Sequence, residues 1–178
     1  MSRLSVNRGN TALPQFVDVA SHVGLTEAGN SRGMGTIDLD SDGRLDLVVT
    51  HMFKGSTIYR NEANAGTPDS HAAWIGFELE SPQPDCNRQA LGSRVTLSYV
   101  DVDGKPVQQI RELQAIDGMS AQNDRRVHFG LGGFNGKPRV EVLWCGLESE
   151  TFVDVAPRRY QKLLRGRGMA RRLASDRH

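Results

Sequence analysis

The stretch Asp38-Leu39-Asp40-Ser41-Asp42-Gly43-Arg44-Leu45-Asp46 constrains this chain more than any other. It puts acidic side chains at the first, third, fifth and ninth places of one short loop. Two such charges about 4 Å apart at an effective dielectric near 20 repel by roughly 4 kcal/mol, so a loop that gathers four is expected to hold a hard cation. Calcium suits it, since that ion takes about six to eight oxygens in loose geometry from short side chains and main-chain carbonyls. The expected ligands are the side chains of Asp38, Asp40, Asp42 and Asp46 and the carbonyl of Arg44, with Gly43 supplying the positive φ of the reversal. An EF-hand opens the same way but needs a glutamate at its twelfth position and a helix after it. Here that position is Val49, and Leu45-Asp46-Leu47-Val48-Val49-Thr50 leaves the loop as a buried strand.

The rest of the chain also reads as β structure. Upstream, Gln15 to Ala20 alternates like a half-buried strand and Gly24-Leu25 closes it. Asn30 to Gly35 reads as a loop, in which Gly33 and Gly35 permit close backbone approach. Downstream, a turn around Gly55 leads to a hairpin partner at Ser56–Asn61. In the second half, Arg94–Val100 alternates, Asp103-Gly104 is a hairpin turn, Val107–Leu113 pairs back, and Val127–Leu131 and Arg139–Trp144 supply two more strands. Short strands at this spacing predict a sandwich or small barrel.

A further regularity links the two ends of the first half. Leu4-Ser5-Val6-Asn7 and Ile58-Tyr59-Arg60-Asn61 are both short strands closed by Asn, 54 residues apart. A period near 50 suggests stacked β units such as propeller blades. There are too few to close a ring of about four to eight blades. The expectation is therefore a missing set of upstream blades, or strand edges covered by the second half or by another copy in a homo-oligomer.

Several motifs resemble known families. Gly33 to Leu47 is similar to an FG-GAP/VCBS repeat, the calcium-loop β-propeller unit, with Phe16-Val17-Asp18-Val19-Ala20 and Gly24-Leu25 in the place of its leading strand. Trp74 to about Gly146 resembles the ASPIC/UnbV domain of the CRTAC1-like family. The residues that carry this are Asn87-Arg88-Gln89-Ala90-Leu91-Gly92-Ser93-Arg94-Val95, Gly118-Met119-Ser120-Ala121-Gln122 and His128-Phe129-Gly130-Leu131-Gly132. Ala121, inserted between Ser120 and Gln122, and Trp144-Cys145-Gly146, in place of tryptophan-proline-x-glycine, depart from that pattern. The resemblance implies an all-β chain in three parts: an FG-GAP region with its calcium loop over 1–66, a sandwich-like ASPIC/UnbV domain over 70–156, and a basic tail over 157–178.

Composition limits the function. A chain of 178 residues and net charge +1 with ordinary apolar content is a globule, with no apolar run long enough for a membrane span and no signal-peptide core at Met1 to Asn7. From Pro157 onward eight Lys and Arg face Asp176 alone, a run expected to be solvated and poorly ordered rather than bound to nucleic acid. Cys86 and Cys145 are expected as free thiols, a single disulfide being the alternative. No His-Glu-x-x-His, Gly-x-Ser-x-Gly or nucleotide loop occurs. His128 reads as a hydrogen-bonded packing residue, Ser120 and Gln122 as turn formers, and Trp74 and Trp144 as core.

The resulting expectation is a non-catalytic, calcium-binding β protein of adhesion type with a protein or glycan partner. The resemblance implies a secreted or periplasmic setting. The alternative is an enzyme or accessory protein of natural-product biosynthesis, which would gather His128, Glu112 and Gln122 around one pocket.

Overall fold

The computed structural model describes residues 4–7, 15–26, 29–63, 72–118 and 121–171, and among these every regular element is a strand. The chain divides into two compact units.

The first unit comprises Met1–Ile37, Leu45–Asn61 and Ile116–Asn123. Strands β1 (Ser5–Asn7) and β2 (Phe16–Asp18) pair antiparallel, and β3 (Ser31–Ile37), β4 (Asp46–His51) and β5 (Lys54–Tyr59) form a three-stranded meander. The loop expected over Asn30 to Gly35 is therefore mostly strand, because β4 pairs with it at Ser31 and, after an irregularity at Arg32, continuously from Gly33 to Ile37. Its two glycines hide the apolar alternation that marks a strand in sequence. Gly35 does serve close approach: a Cβ there would sit 2.9 Å from the Gln122 carbonyl oxygen. Beside it, Asn123 Oδ1 accepts the Thr36 N–H at 2.8 Å, which holds Asn123 against β3. The β4–β5 turn is made by Met52 and Phe53, with Phe53 at φ 64°, and Gly55 lies within β5.

The second unit comprises Asp38–Arg44, Glu62–Ala115 and Asp124–His178. Its strands are β6 (Ala73–Glu80), β7 (Arg94–Val100), β8 (Pro106–Glu112), β9 (Val127–Gly132), β10 (Arg139–Trp144), β11 (Glu148–Phe152), β12 (Tyr160–Leu164) and β13 (Met169–Arg171). They form a five-stranded sheet in the order β13-β11-β10-β7-β8 and a three-stranded sheet in the order β12-β6-β9. Alternate residues of both sheets meet in one core: Ile75, Phe77 and Phe129 from the smaller, Val95, Leu97, Val140, Val142 and Trp144 from the larger. This is the sandwich-like arrangement expected for the second half.

Two expectations are corrected here. The basic tail is ordered as far as residue 171: β12 runs parallel to β6 with Tyr160 opposite Gly76, and β13 pairs with β11. Two of its charges are held by ion pairs, Lys162 by Glu80 at 2.9 Å and the buried Arg165 by Asp85 at 2.6 Å and Glu148 at 2.9 Å, while Leu163 faces the core. Residues 172–178 lie outside the described set. The cysteines are a disulfide, not thiols, with Cα atoms 5.8 Å apart across a sequence separation of 59. That spacing says nothing in sequence about proximity in the fold.

Candidate cation site

The acidic loop, residues 38–44, packs within the second unit. Asp38 is almost fully buried, and its carboxylate organises the turn: Oδ1 accepts the Asp42 N–H at 3.0 Å and Oδ2 the Gly43 N–H at 2.9 Å. Asp42 Oδ1 accepts the Arg44 N–H at 2.8 Å, and its other oxygen pairs with the Arg44 guanidinium. Short acidic side chains bind nearby main-chain N–H groups in this way, which is why they suit tight turns. Ser41 and Gly43 take positive φ, 59° and 89°. The result brings one carboxylate oxygen from each of Asp38, Asp40 and Asp42 within 4.8 Å of the others.

Side chains distant in sequence clasp this loop. The Tyr160 hydroxyl, at the start of β12, donates to Asp38 Oδ2 at 2.8 Å. Arg126, just before β9, donates from Nη2 to the Asp38 carbonyl at 2.7 Å and from Nη1 to Ser41 Oγ at 3.2 Å, and its guanidinium lies 4.0 Å from the Tyr160 ring centroid. His128 on β9 donates from Nε2 to the Gly43 carbonyl at 3.0 Å, and its ring stacks on Trp74. Gly43 is needed for contact as well as for φ, because a Cβ there would overlap the Trp74 indole. Burial first, and then the bond to Asp38, push the Tyr160 phenol well above its ordinary range, so it stays a donor. Burial pulls His128 below the usual histidine value, against the opposing pull of the Gly43 carbonyl. The Asp124 carboxylate holds Arg126 charged.

The donor set suits a hard cation. Three carboxylates supply anionic oxygens, each with lone pairs beyond those given to N–H or O–H donors. The loop's charge is also offset from within the protein, by Arg44 on Asp42 and by Arg126 on the Asp38 carbonyl.

Of the residues singled out in the sequence, Asp38, Asp40 and Asp42 come together. Asp46 opens β4 in the first unit, buried, with its Oδ1 accepting the Asn61 N–H at 2.8 Å. His128 is the hydrogen-bonded packing residue expected. Glu112 pairs with Arg94 at 3.0 Å, Gln122 belongs to the first unit, and Ser120 lies outside the described residues. Trp144 is fully buried in the core. Trp74, Arg126 and Tyr160 carry no sequence signal as partners of the loop, since only the fold brings residues up to 122 positions apart into contact.

Residues 83–169 match the protein-family model described as ASPIC and UnbV. The second half of the chain holds an ASPIC/UnbV domain. The matched stretch begins after the acidic loop and runs beyond the Gly146 boundary expected from sequence, taking in β11, β12 and therefore Tyr160. No curated protein matches the chain. The ASPIC/UnbV domain thus contributes Arg126, His128 and Tyr160 to the surroundings of the loop.

Proposed function

We propose that the chain is a calcium-stabilised, non-catalytic binding protein, in which an FG-GAP/VCBS-type loop holds the ion and the ASPIC/UnbV domain holds the loop. The observation that carries this reading is the convergence of Asp38, Asp40 and Asp42 within 4.8 Å, on a turn braced by Tyr160, Arg126 and His128. The bound ion supplies charge neutralisation; the Arg44 carbonyl and Asp46 are the further ligands proposed from the sequence. The partner is a protein or glycan outside the cell or in the periplasm, a setting supported by the Cys86–Cys145 disulfide, since such bonds persist where conditions are oxidising.

Mass action gives the test. An ion that binds only the folded state at about 100 times its Kd adds about 2.7 kcal/mol. The Tm is expected to rise in millimolar calcium over EDTA, and Asp40→Ala to abolish the rise. An equal Tm with and without calcium overturns the reading.

A further inference from the structure

The Cys86–Cys145 disulfide joins two sulfurs of unlike surroundings. Cys86 is buried and belongs to the hydrophobic core of the second unit. Cys145 stands at the tip of the β10–β11 hairpin, partly exposed. There the Leu147 N–H donates to the Trp144 carbonyl at 2.8 Å, and Cys145 and Gly146 take φ 46° and 75°. A turn with positive φ at both central residues favours Asn and Gly, so a cysteine is held here against its backbone preference. Its sulfur has polar company: the Leu91 carbonyl oxygen lies 3.5 Å away, Asn87 Nδ2 3.8 Å and Ser93 Oγ 4.0 Å. That carbonyl can accept from a Cys145 thiol, and the amide and hydroxyl can donate to a thiolate. The surroundings of Cys145 therefore suit the opened bond as well as the closed one.

A second tie joins the same two segments. Arg165, buried, donates to both oxygens of Asp85, at 2.6 and 3.1 Å, and twice to Glu148 Oε1, at 3.1 and 2.9 Å. Asp85 directly precedes Cys86, and Glu148 closely follows Cys145. With the sulfur bond cut, this guanidinium still holds the loop of Cys86 to the hairpin of Cys145.

We propose that Cys86 and Cys145 form a reversible redox pair that exchanges with a dithiol while the domain stays folded. Cys145 is the sulfur that exchanges, and Arg165 keeps Cys86 within its reach. A thiolate of the dithiol attacks Cys145 Sγ; the Cys86–Cys145 bond breaks with its electron pair on Cys86, which takes a proton from water. The second thiolate of the dithiol then attacks the dithiol sulfur now bonded to Cys145. Cys145 leaves as a thiolate, met by Asn87 and Ser93, and the dithiol closes to its own disulfide. The dithiol is oxidised and the cysteine pair reduced by the same two electrons. Access selects Cys145 for attack, because exchange requires the incoming thiolate to reach the sulfur. The inference does not rest on the cation site.

The test uses the full chain at neutral pH without denaturant, with dithiothreitol as the dithiol. It is expected to open the bond while near-ultraviolet circular dichroism keeps its folded signature, and glutathione disulfide is expected to close the bond again. In the opened protein, Cys145 should take iodoacetamide about tenfold or more faster than Cys86, read by peptide mass mapping. Asp85→Asn, a change at a half-exposed carboxylate, should slow reclosure by about threefold or more, because it loosens the tether through Arg165. A bond that resists the dithiol until denaturant is added, a folded signature lost on reduction, or failure to close again overturns the reversible pair. Alkylation of Cys86 as fast as Cys145 overturns the role of Cys145, and unchanged reclosure in the variant overturns that of Arg165.

Discussion

The two units of this protein are built on opposite principles. The second closes two sheets over a core in which Ile75, Phe77, Leu97, Phe129, Val142 and Trp144 are fully buried, and a disulfide crosses it. The first has strands and ladders, but its buried apolar side chains are few, Ala20 and Val49 among the described residues. Phe16, Met34 and Ile58 stand 64%, 59% and 59% exposed on its strands. Strand propensity alone makes sheets; a face removed from water makes them stable. The first unit has the pattern of a sheet whose strands present apolar groups outward. The second has what it needs within itself.

That contrast can be broken by measurement. Both tryptophans of the chain, Trp74 and Trp144, lie in the second unit, so their fluorescence follows that unit. The largest effect is expected from Phe77→Ala, which empties a fully buried position and should destabilise by about 3 to 5 kcal/mol in chemical denaturation. A loss under about 1 kcal/mol would deny the second unit its core. Reducing the disulfide, or replacing both cysteines by serine, is expected to cost about 2 to 4 kcal/mol in the same signal, because it frees a long loop in the unfolded chain. If the melt is indifferent to reductant, the bond contributes nothing to this unit.

A smaller effect depends on pH. Its bond to the Arg165 guanidinium holds the Asp85 carboxyl below the usual range, so its contribution is present above the ordinary aspartate value and lost as pH falls through the lowered one. Asp85→Asn should therefore lower the Tm near neutral pH, and the gap from the parent protein should close toward pH 3. A gap that stays constant across that range would show that Arg165 does not depend on this charge. The smallest effect is expected in the first unit. Phe16→Ser should leave stability within about 0.5 kcal/mol, as at ordinary surface positions. A loss above about 1 kcal/mol would show that this face does pack, and would dissolve the comparison.

How much of this was legible in the sequence follows the same division. Arg94–Val100 and Arg139–Trp144 were readable as strands because one face is buried and the other is not, which leaves the alternation in the letters. β12 was not, because Lys162 and Arg165 are neutralised by Glu80, Asp85 and Glu148, residues that sequence proximity does not reveal. β3 was obscured by Gly33 and Gly35. In the candidate site, Asp38, Asp40 and Asp42 were legible because they are local. Their companions Tyr160, Arg126 and His128 were not, because each reaches the loop only through the sheet order β12-β6-β9.

The parallel ladder between β6 and β12 has a consequence for how the chain matures. Tyr160 lies opposite Gly76, so the strand that completes the smaller sheet emerges from the ribosome long after the one it must join. Parallel pairing at such distance is slow to form because the chain must first be brought back on itself. Until then Asp38 lacks its phenolic donor, and the Trp74 indole has His128 but not Tyr160 beside it. A nascent chain halted between β11 and β12 should hold four strands of the larger sheet, β11-β10-β7-β8, in outline and an acidic turn still without its phenolic clasp.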